Sequence, residues 1–259
     1  MKLDPAAAEA GVRLVECDII GSTNTEALGL ARMGERGLLW VTARAQSAGR
    51  GRRGRTWISD PGNLYASLLL GDPSPPERAA ELSFVAAVAV HDAVAECAIS
   101  LASRLTLKWP NDVLIDGKKI AGILIEGEGS AVAVGIGVNC AHHPNETAYA
   151  ASDLAAEGAP VPVEVLFLRL SATMMRRFKQ WDRSAGFEAI RRDWLARAAG
   201  LGGTIRIALP DGERSGRFET VDARGRLVLR LPDGTIETIT AGDVSALTPE
   251  RTPVAAAGR

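Results

Sequence analysis

The sequence predicts an α+β fold: a mixed or antiparallel central sheet flanked by helices, followed by a small β-barrel. Three observations carry that reading. Leu82, Val85, Ala86, Ala89, Val90, Ala93 and Val94 recur at helical spacing and mark one long helix with a buried face. Three strand-like runs at 105–109, 120–126 and 131–138 are joined by short Gly-rich or charged connections, near enough to pair as a meander. At Gly200-Leu201-Gly202-Gly203 the pattern then changes abruptly to short alternating segments.

Taken in order, the first helix is expected at 24–35, with Thr23 as N-cap and Glu26 three residues on in capping-box spacing. A strand at 38–43 leads into an arginine-rich loop, and 63–70 resumes strand character after the Pro61-Gly62 break. Pro75 and Pro76 announce a helix at 77–98. After the meander, 163–181 and 187–198 read as two further helices. Beyond the glycine break, strands at 204–209, 216–221, 226–231 and 236–240 are separated by turn signals at Pro210-Asp211-Gly212, 222–225 and Pro232-Asp233-Gly234. The domain division expected is 1–200 and 201–259, the second packed on the first, with a frayed tail at 252–259.

Composition excludes several classes. A hydrophobic content of 46% and a charged content of 24% are those of a globular protein, without a run of about 18 apolar residues for a membrane span. Cys17, Cys97 and Cys140 are isolated and odd in number, which argues against a disulfide framework and suits a reducing cytoplasm. His142 and His143 are adjacent, not spaced for one helical face, so a solvated loop is expected there and no metal ligand set can be named.

Gly49-Arg50-Gly51-Arg52-Arg53-Gly54-Arg55-Thr56-Trp57 sets four arginines among three glycines in a chain of net charge -1. No Asp or Glu occurs from 44 to 59, so the segment carries no counter-charge of its own and looks outward for an anion, phosphate first. Its glycines spell G-x-G-x-x-G, yet Trp57, Asp60, Pro61 and Gly62 follow instead of a helix, and no Walker A phosphate loop exists. An RNA-binding tract is the competing reading, set against a balance of 31 acidic and 30 basic residues. Lys108-Trp109-Pro110-Asn111-Asp112 packs an ammonium, an amide and a carboxylate around a proline at a strand end, although a plain β-turn would use the same residues. Lys119 opens an apolar strand in which Gly122 suggests either a close backbone approach or simple packing. Gly135 and Gly137, before Asn139, strip one strand face of side chains. Ser22-Thr23-Asn24 offers three hydrogen-bonding side chains in succession.

In this order, Ser22-Thr23-Asn24, Gln46 with the arginine loop, Lys108 to Asp112, Lys119 to Leu124 and Gly135 to Asn139 resemble biotin protein ligases. The resemblance implies a class II synthetase-like catalytic domain with an SH3-like C-terminal domain. It implies ATP-dependent activation of biotin as biotinyl-5′-AMP, with Mg²⁺, and transfer to a lysine of a biotin carboxyl carrier protein of acetyl-CoA carboxylase or a related carboxylase. By resemblance, Lys119, Arg52 and Asp112 are catalytic. Ser22, Thr23, Asn24, Gln46, Arg50, Gly51, Arg52, Lys119, Gly122, Gly135 and Gly137 bind biotin. Arg52, Arg53, Arg55, Trp57, Lys108, Asn111 and Asn139 meet ATP or the adenylate. Trp57 is expected to stack on or cover adenine, and the loop to be poorly ordered until ligands close it. Thr56 stands where the family often has lysine, and about 17 residues precede the resemblance, too few for the repressor domain of some members, so no DNA binding is expected. Members occur as monomers and dimers, which leaves a homodimer open. The alternatives are a lipoate or octanoate ligase of the same broad fold and a nucleic-acid-binding module.

Overall fold

The computed structural model describes residues 1–248 apart from 74, 146 and 148. The tail expected at 252–259 lies outside the described residues. The chain begins with α1 (Pro5–Glu9) and β1 (Arg13–Ile20), then α2 (Thr23–Arg32), β2 (Leu39–Gln46), β3 (Leu64–Leu70) and α3 (Glu81–Cys97). β4 (Leu105–Lys108), β5 (Asp112–Ile115), β6 (Lys118–Glu128) and β7 (Ala131–Val138) follow, then α4 (Val163–Trp181) and α5 (Phe187–Leu195). The described residues form one seven-stranded sheet in the order β1-β2-β3-β7-β6-β5-β4. β1 and β2 run parallel with α2 as their crossover, and the remaining pairs are antiparallel, so the sheet is mixed as expected.

Alternation along the strands decides what each face meets. Leu39, Val41 and Leu69 turn to α2 and pack with Ala27, Leu28 and Ala31. Trp40, Leu68 and Leu70 turn to the opposite face, which α3 and α4 cover. α3 lies between the sheet and the outer helices, which is why it is apolar nearly all round rather than on one stripe.

Beyond the glycine break, β8 (Thr204–Leu209), β9 (Gly212–Val221), β10 (Leu227–Arg230), β11 (Ile236–Ile239) and β12 (Asp243–Thr248) form an antiparallel sheet in the order β11-β10-β9-β8-β12. It docks closely on the larger unit. The Trp109 indole donates to the Gly225 carbonyl at 3.0 Å, and Gly225 lies against the Phe84 ring, where a Cβ would come within 2.8 Å of it. Residues of both units share one apolar cluster.

Several expectations shift. The N-cap of α2 is Ser22, without a side-chain capping bond, and the helix includes Thr23. The reason is that Gln46 Oε1 takes both the Thr23 amide at 2.8 Å and its hydroxyl at 3.1 Å, so Thr23 serves a long-range contact instead of a capping box. Pro76–Arg78 forms a separate 3₁₀ turn before α3. β1, β5 and β12 were not expected. β1 is a half-exposed edge strand lacking clean alternation, and β5 is four residues long. The 149–158 segment is tied to the hairpin of β5 and β6 through Glu157, which pairs with Lys118 and Arg104 and accepts from Ser152.

Two outcomes follow for stability. Gly225 has φ +77, and a Cβ there would come within 2.8 Å of Phe84, so Gly225→Ala is expected to cost about 1–3 kcal/mol in denaturant unfolding. A cost near zero would contradict the docking. The hydrogen bonds from Lys118 and Ser152, set against burial and helped by Arg104, hold the Glu157 carboxyl at about 2 against 4.5. A folded value below the unfolded one means that this contribution is present above 4.5 and is lost as pH falls towards 2. Melting temperatures from pH 6 to pH 3 should therefore fall less steeply for Glu157→Gln than for the unaltered chain.

Candidate active site

The strand order brings the scattered polar positions to one cavity of about 570 Å³. Lys108 ends β4 and lies opposite Asp112, the first residue of β5, in the ladder. In the next ladder Val113 pairs with Ala121 but Leu114 pairs with Lys119, so β6 carries one extra residue. Such a bulge re-aims the neighbouring side chain, and Lys119 points into the cavity beside Asp112. Asp112 Oδ1 lies 2.6 Å from Lys119 Nζ and Asp112 Oδ2 lies 3.0 Å from Lys108 Nζ. Burial alone would raise the Asp112 pKa, but the two ammoniums outweigh it and hold the carboxyl below the usual aspartate range. Lys119 Nζ also lies 5.3 Å from the Trp57 ring centre and 5.0 Å from that of Tyr149.

The glycines have separate tasks. Gly122 and Gly137 are partners across β6 and β7, and together they seat Trp57. A Cβ on Gly137 would lie 2.6 Å from the indole and one on Gly122 3.0 Å from it. Gly135 makes room for Asn24, whose amide oxygen would be 2.5 Å from a Cβ there. The indole nitrogen of Trp57 is buried on this floor without a hydrogen-bond partner among the described residues.

The arginine loop finds its anions inside the molecule, which corrects the expectation that it must look outside. Arg52, Arg53 and Arg55 all converge on Asp243, the first residue of β12, with Arg55 Nη2 3.0 Å from both carboxylate oxygens. Arg52 also donates to Asn111 Oδ1 at 3.2 Å, and Arg50 pairs with Glu126 at 3.2 Å. The small sheet thus supplies one wall of the cavity through Asp243, Val244 and Ser245.

Of the positions singled out in the sequence, Ser22, Thr23, Asn24, Gln46, Arg50, Gly51, Arg52, Arg55, Trp57, Lys108, Asn111, Asp112, Lys119, Gly122, Gly135 and Gly137 line this one cavity. Arg53 and Asn139 do not. Arg53 reaches Asp243 from outside, while Asn139 donates to the Ser152 carbonyl and helps anchor the 149–158 segment. Sequence reasoning missed Tyr149 and Asp243 in the lining and Glu126 at its edge. Tyr149 stands alone among small and polar residues, and nothing near Asp243 in sequence marks it as the counter-ion of a loop almost 190 residues away. His143, expected in a solvated loop, pairs with Asp153 at 2.6 Å.

Similarity to known proteins agrees with this geometry. Residues 18–142 match the biotin/lipoate A/B protein ligase family, and residues 200–247 match the biotin protein ligase C-terminal domain. A biotin–[acetyl-CoA-carboxylase] ligase of Paracoccus denitrificans is 46% identical over 229 residues, spanning 82% of this chain and 92% of that protein. The bifunctional ligase/repressor BirA of Bacillus subtilis (strain 168) is 31% identical over 245 residues, spanning 90% and 74% respectively. Among solved structures, the biotin protein ligase from Aquifex aeolicus in complex with biotin and ATP superposes with a TM-score of 0.76 at 26% identity, covering 90% of this chain and 97% of that one. With the motifs in one cavity and nearly the whole of a curated relative aligned, the chain belongs to the biotin protein ligase family.

Proposed function

We propose that this cavity joins biotin to AMP and then passes the biotinyl group to a lysine of a biotin carboxyl carrier domain of acetyl-CoA carboxylase or a related carboxylase. The observation that carries it is a charge imbalance beside a slot. Arg50, Arg52, Arg55, Lys108 and Lys119 line the cavity against two carboxylates, Asp112 and Asp243, while the glycine floor and Thr23, Gln46 and Ser22 shape its other end. A carboxylate and a triphosphate repel each other, and fixed cations offset that repulsion without reorganising during reaction.

In the first step a biotin carboxylate oxygen bonds to the α-phosphorus of ATP and the bond to pyrophosphate breaks. Lys119, held by Asp112 and flanked by Trp57 and Tyr149, is the ammonium placed to meet both reacting anions. Arg52 and Arg55 exchange Asp243 for phosphate oxygens, and Arg53 serves to order the loop. In the second step the carrier lysine nitrogen bonds to the biotinyl carbonyl, AMP leaves with the bonding electrons of the C–O bond, and the amine loses a proton. Asp112 is a poor base when held low by two ammoniums, which favours its role as the clasp that positions them.

Among the described residues no group of three or more His, Cys, Asp or Glu is arranged to hold a metal ion. That donor set fits Mg²⁺ arriving with the nucleotide, since Mg²⁺ keeps several waters and takes phosphate oxygens with one or two protein donors. The Asp112 and Asn111 oxygens are already paired with Lys119, Lys108 and Arg52, so Mg²⁺ would be held chiefly by the nucleotide phosphates, whose charge it would offset. No helix of the described residues is long and apolar enough to cross a membrane, and the three cysteines are free, as suits a cytoplasmic enzyme. The domain boundary is placed at 200/201, and edge strand β1, with Ile19 60% exposed, is where a homodimer would form.

The polar trio favours biotin over lipoate, whose dithiolane ring has no N–H or C=O to pair with it. The inward pairing of the arginines disfavours nucleic acid.

Biotin-dependent ATP–pyrophosphate exchange should be observed, with none when lipoate replaces biotin. Lys119→Ala and Arg52→Ala should each lower exchange by about 100-fold or more while the chain stays folded. Exchange at the original rate in both variants would remove these residues from their roles. Incubation with MgATP, biotin and a carrier domain should add the mass of one biotinyl group to the carrier. Asp243→Asn, which weakens three ion pairs at once, should speed tryptic cleavage at 52–55 several-fold in the unliganded chain, and biotin with ATP should restore protection. Identical cleavage of both chains would show that Asp243 does not hold the loop.

A further inference from the structure

Beneath the cavity lies Ser67, in the centre of the sheet on β3 and fully buried. Neither the motifs nor the cavity lining include it. Its hydroxyl oxygen is 2.6 Å from Asn24 Oδ1 and 2.7 Å from Thr23 Oγ1. It has one proton to give, and the surrounding groups determine where it goes.

Asn24 Nδ2 donates to the Leu124 carbonyl at 3.2 Å and to Glu126 Oε2 at 2.7 Å, and neither partner can donate in return because Glu126 is itself paired with Arg50. The amide is therefore oriented with Oδ1 towards Ser67. An amide oxygen has no proton, so Ser67 must donate to it. The Thr23 hydroxyl then faces two acceptors on the protein side: Ser67 Oγ at 2.7 Å and Gln46 Oε1 at 3.1 Å. Two hydroxyl oxygens 2.7 Å apart need a proton between them, and since the Ser67 proton goes to Asn24 that proton is Thr23's, so Thr23 donates to Ser67 and turns only lone pairs to the cavity.

We propose that Ser67 is a positioning residue that makes the Thr23 hydroxyl a fixed acceptor, so that this end of the cavity selects a ligand N–H, the ureido N–H of biotin. The inference rests on the biotin reading above and adds the residue that sets the direction of its hydrogen bonds. Asn24, with both amide hydrogens and its oxygen already paired, supports Thr23 and does not itself read the ligand. The chain of bonds is also anchored at both ends in the arginine loop. Gln46 Nε2 donates to Ser59, whose hydroxyl donates to the Trp57 carbonyl, and at the far end Glu126 holds Arg50.

The test uses the full chain with biotin and an analogue methylated on the ureido nitrogens. By calorimetry the unaltered chain should bind biotin at least about 10-fold more tightly than the analogue, the cost of a buried acceptor left without its donor. Ser67→Ala and Ser67→Cys, the second nearly preserving volume with only a weak donor, should raise the biotin Kd about 10-fold and shrink that discrimination, with the KM for ATP unchanged. If both variants keep the original Kd and discrimination, the proposal is wrong. If instead they raise the KM for biotin and ATP alike with the discrimination intact, Ser67 only packs the sheet and the proposal is equally overturned. An unaltered chain that fails to bind biotin at all would sink the functional reading first, and the proposal with it.

Discussion

Asp112 is clasped by two ammonium groups at the junction of β4, β5 and β6, and the chemistry of the cavity depends on that clasp. The side chains of Lys108 and Lys119 are only 15% and 13% exposed. Burying an ammonium without a partner is costly, and the shared carboxylate offsets that cost for both. The clasp fixes both ammoniums in place before substrate arrives, and it exists only because the Lys108 to Asp112 turn sets these two residues opposite one another and the bulge in β6 delivers Lys119 to the same place. Buried ion groups of this kind add little to stability and much to geometry. Fixed charges at the site of phosphate chemistry are what such a catalyst needs.

A second carboxylate performs a complementary task from the other sheet. Asp243 gathers Arg52, Arg53 and Arg55, so like charges that would splay a glycine-rich loop are gathered to one point. The pairs are partly exposed, and each is individually worth little. Their position matters more than their energy: the anion is on β12 and the loop is on the larger unit, so docking of the two sheets and formation of the cavity wall are one event. The tight Gly225 and Phe84 contact and the Trp109 bond to the Gly225 carbonyl make the same junction from its buried side.

The extent to which this was readable from sequence follows from the range of each interaction. Helices at 163–181 and 187–195 and the strands at 131–138 and 204–209 depend on local periodicity, and the sequence reading placed them within a few residues or at their observed bounds. The cavity lining was legible because its motifs are local, dense and ordered. The capping box at Thr23 was misread because a residue 23 positions away competes for the same hydroxyl. Asp243, Glu126 and Ser67 were invisible for a related reason: each acts on a partner brought near only by the sheet, and no local pattern marks a serine in an apolar strand as different from one that merely fills space. Polarity of a hydrogen-bond network is a property of the assembled set.

The two ends of the cavity are consequently built on opposite principles. At the cationic end excess positive charge is tolerated because two carboxylates hold it in place until stronger anions arrive. At the Thr23 end there is no such excess of charge; the donors of Thr23 and Asn24 are spent on the protein, and Thr23 remains a defined acceptor above a floor without side chains. Biotin has a neutral ring that requires paired N–H groups and a carboxylate that requires cations, and β6 and β7 carry both ends on one rigid ladder through Gly122, Gly135, Gly137 and Lys119. Trp57 occupies the span between them, its indole nitrogen unpaired on the glycine floor. A buried donor in that state costs about 1–3 kcal/mol, so a move that gives the indole a partner would offset part of what the loop gives up in its ion pairs to Asp243 and Glu126. The rigid ladder sets the distance between the ends, and the loop supplies the adjustment.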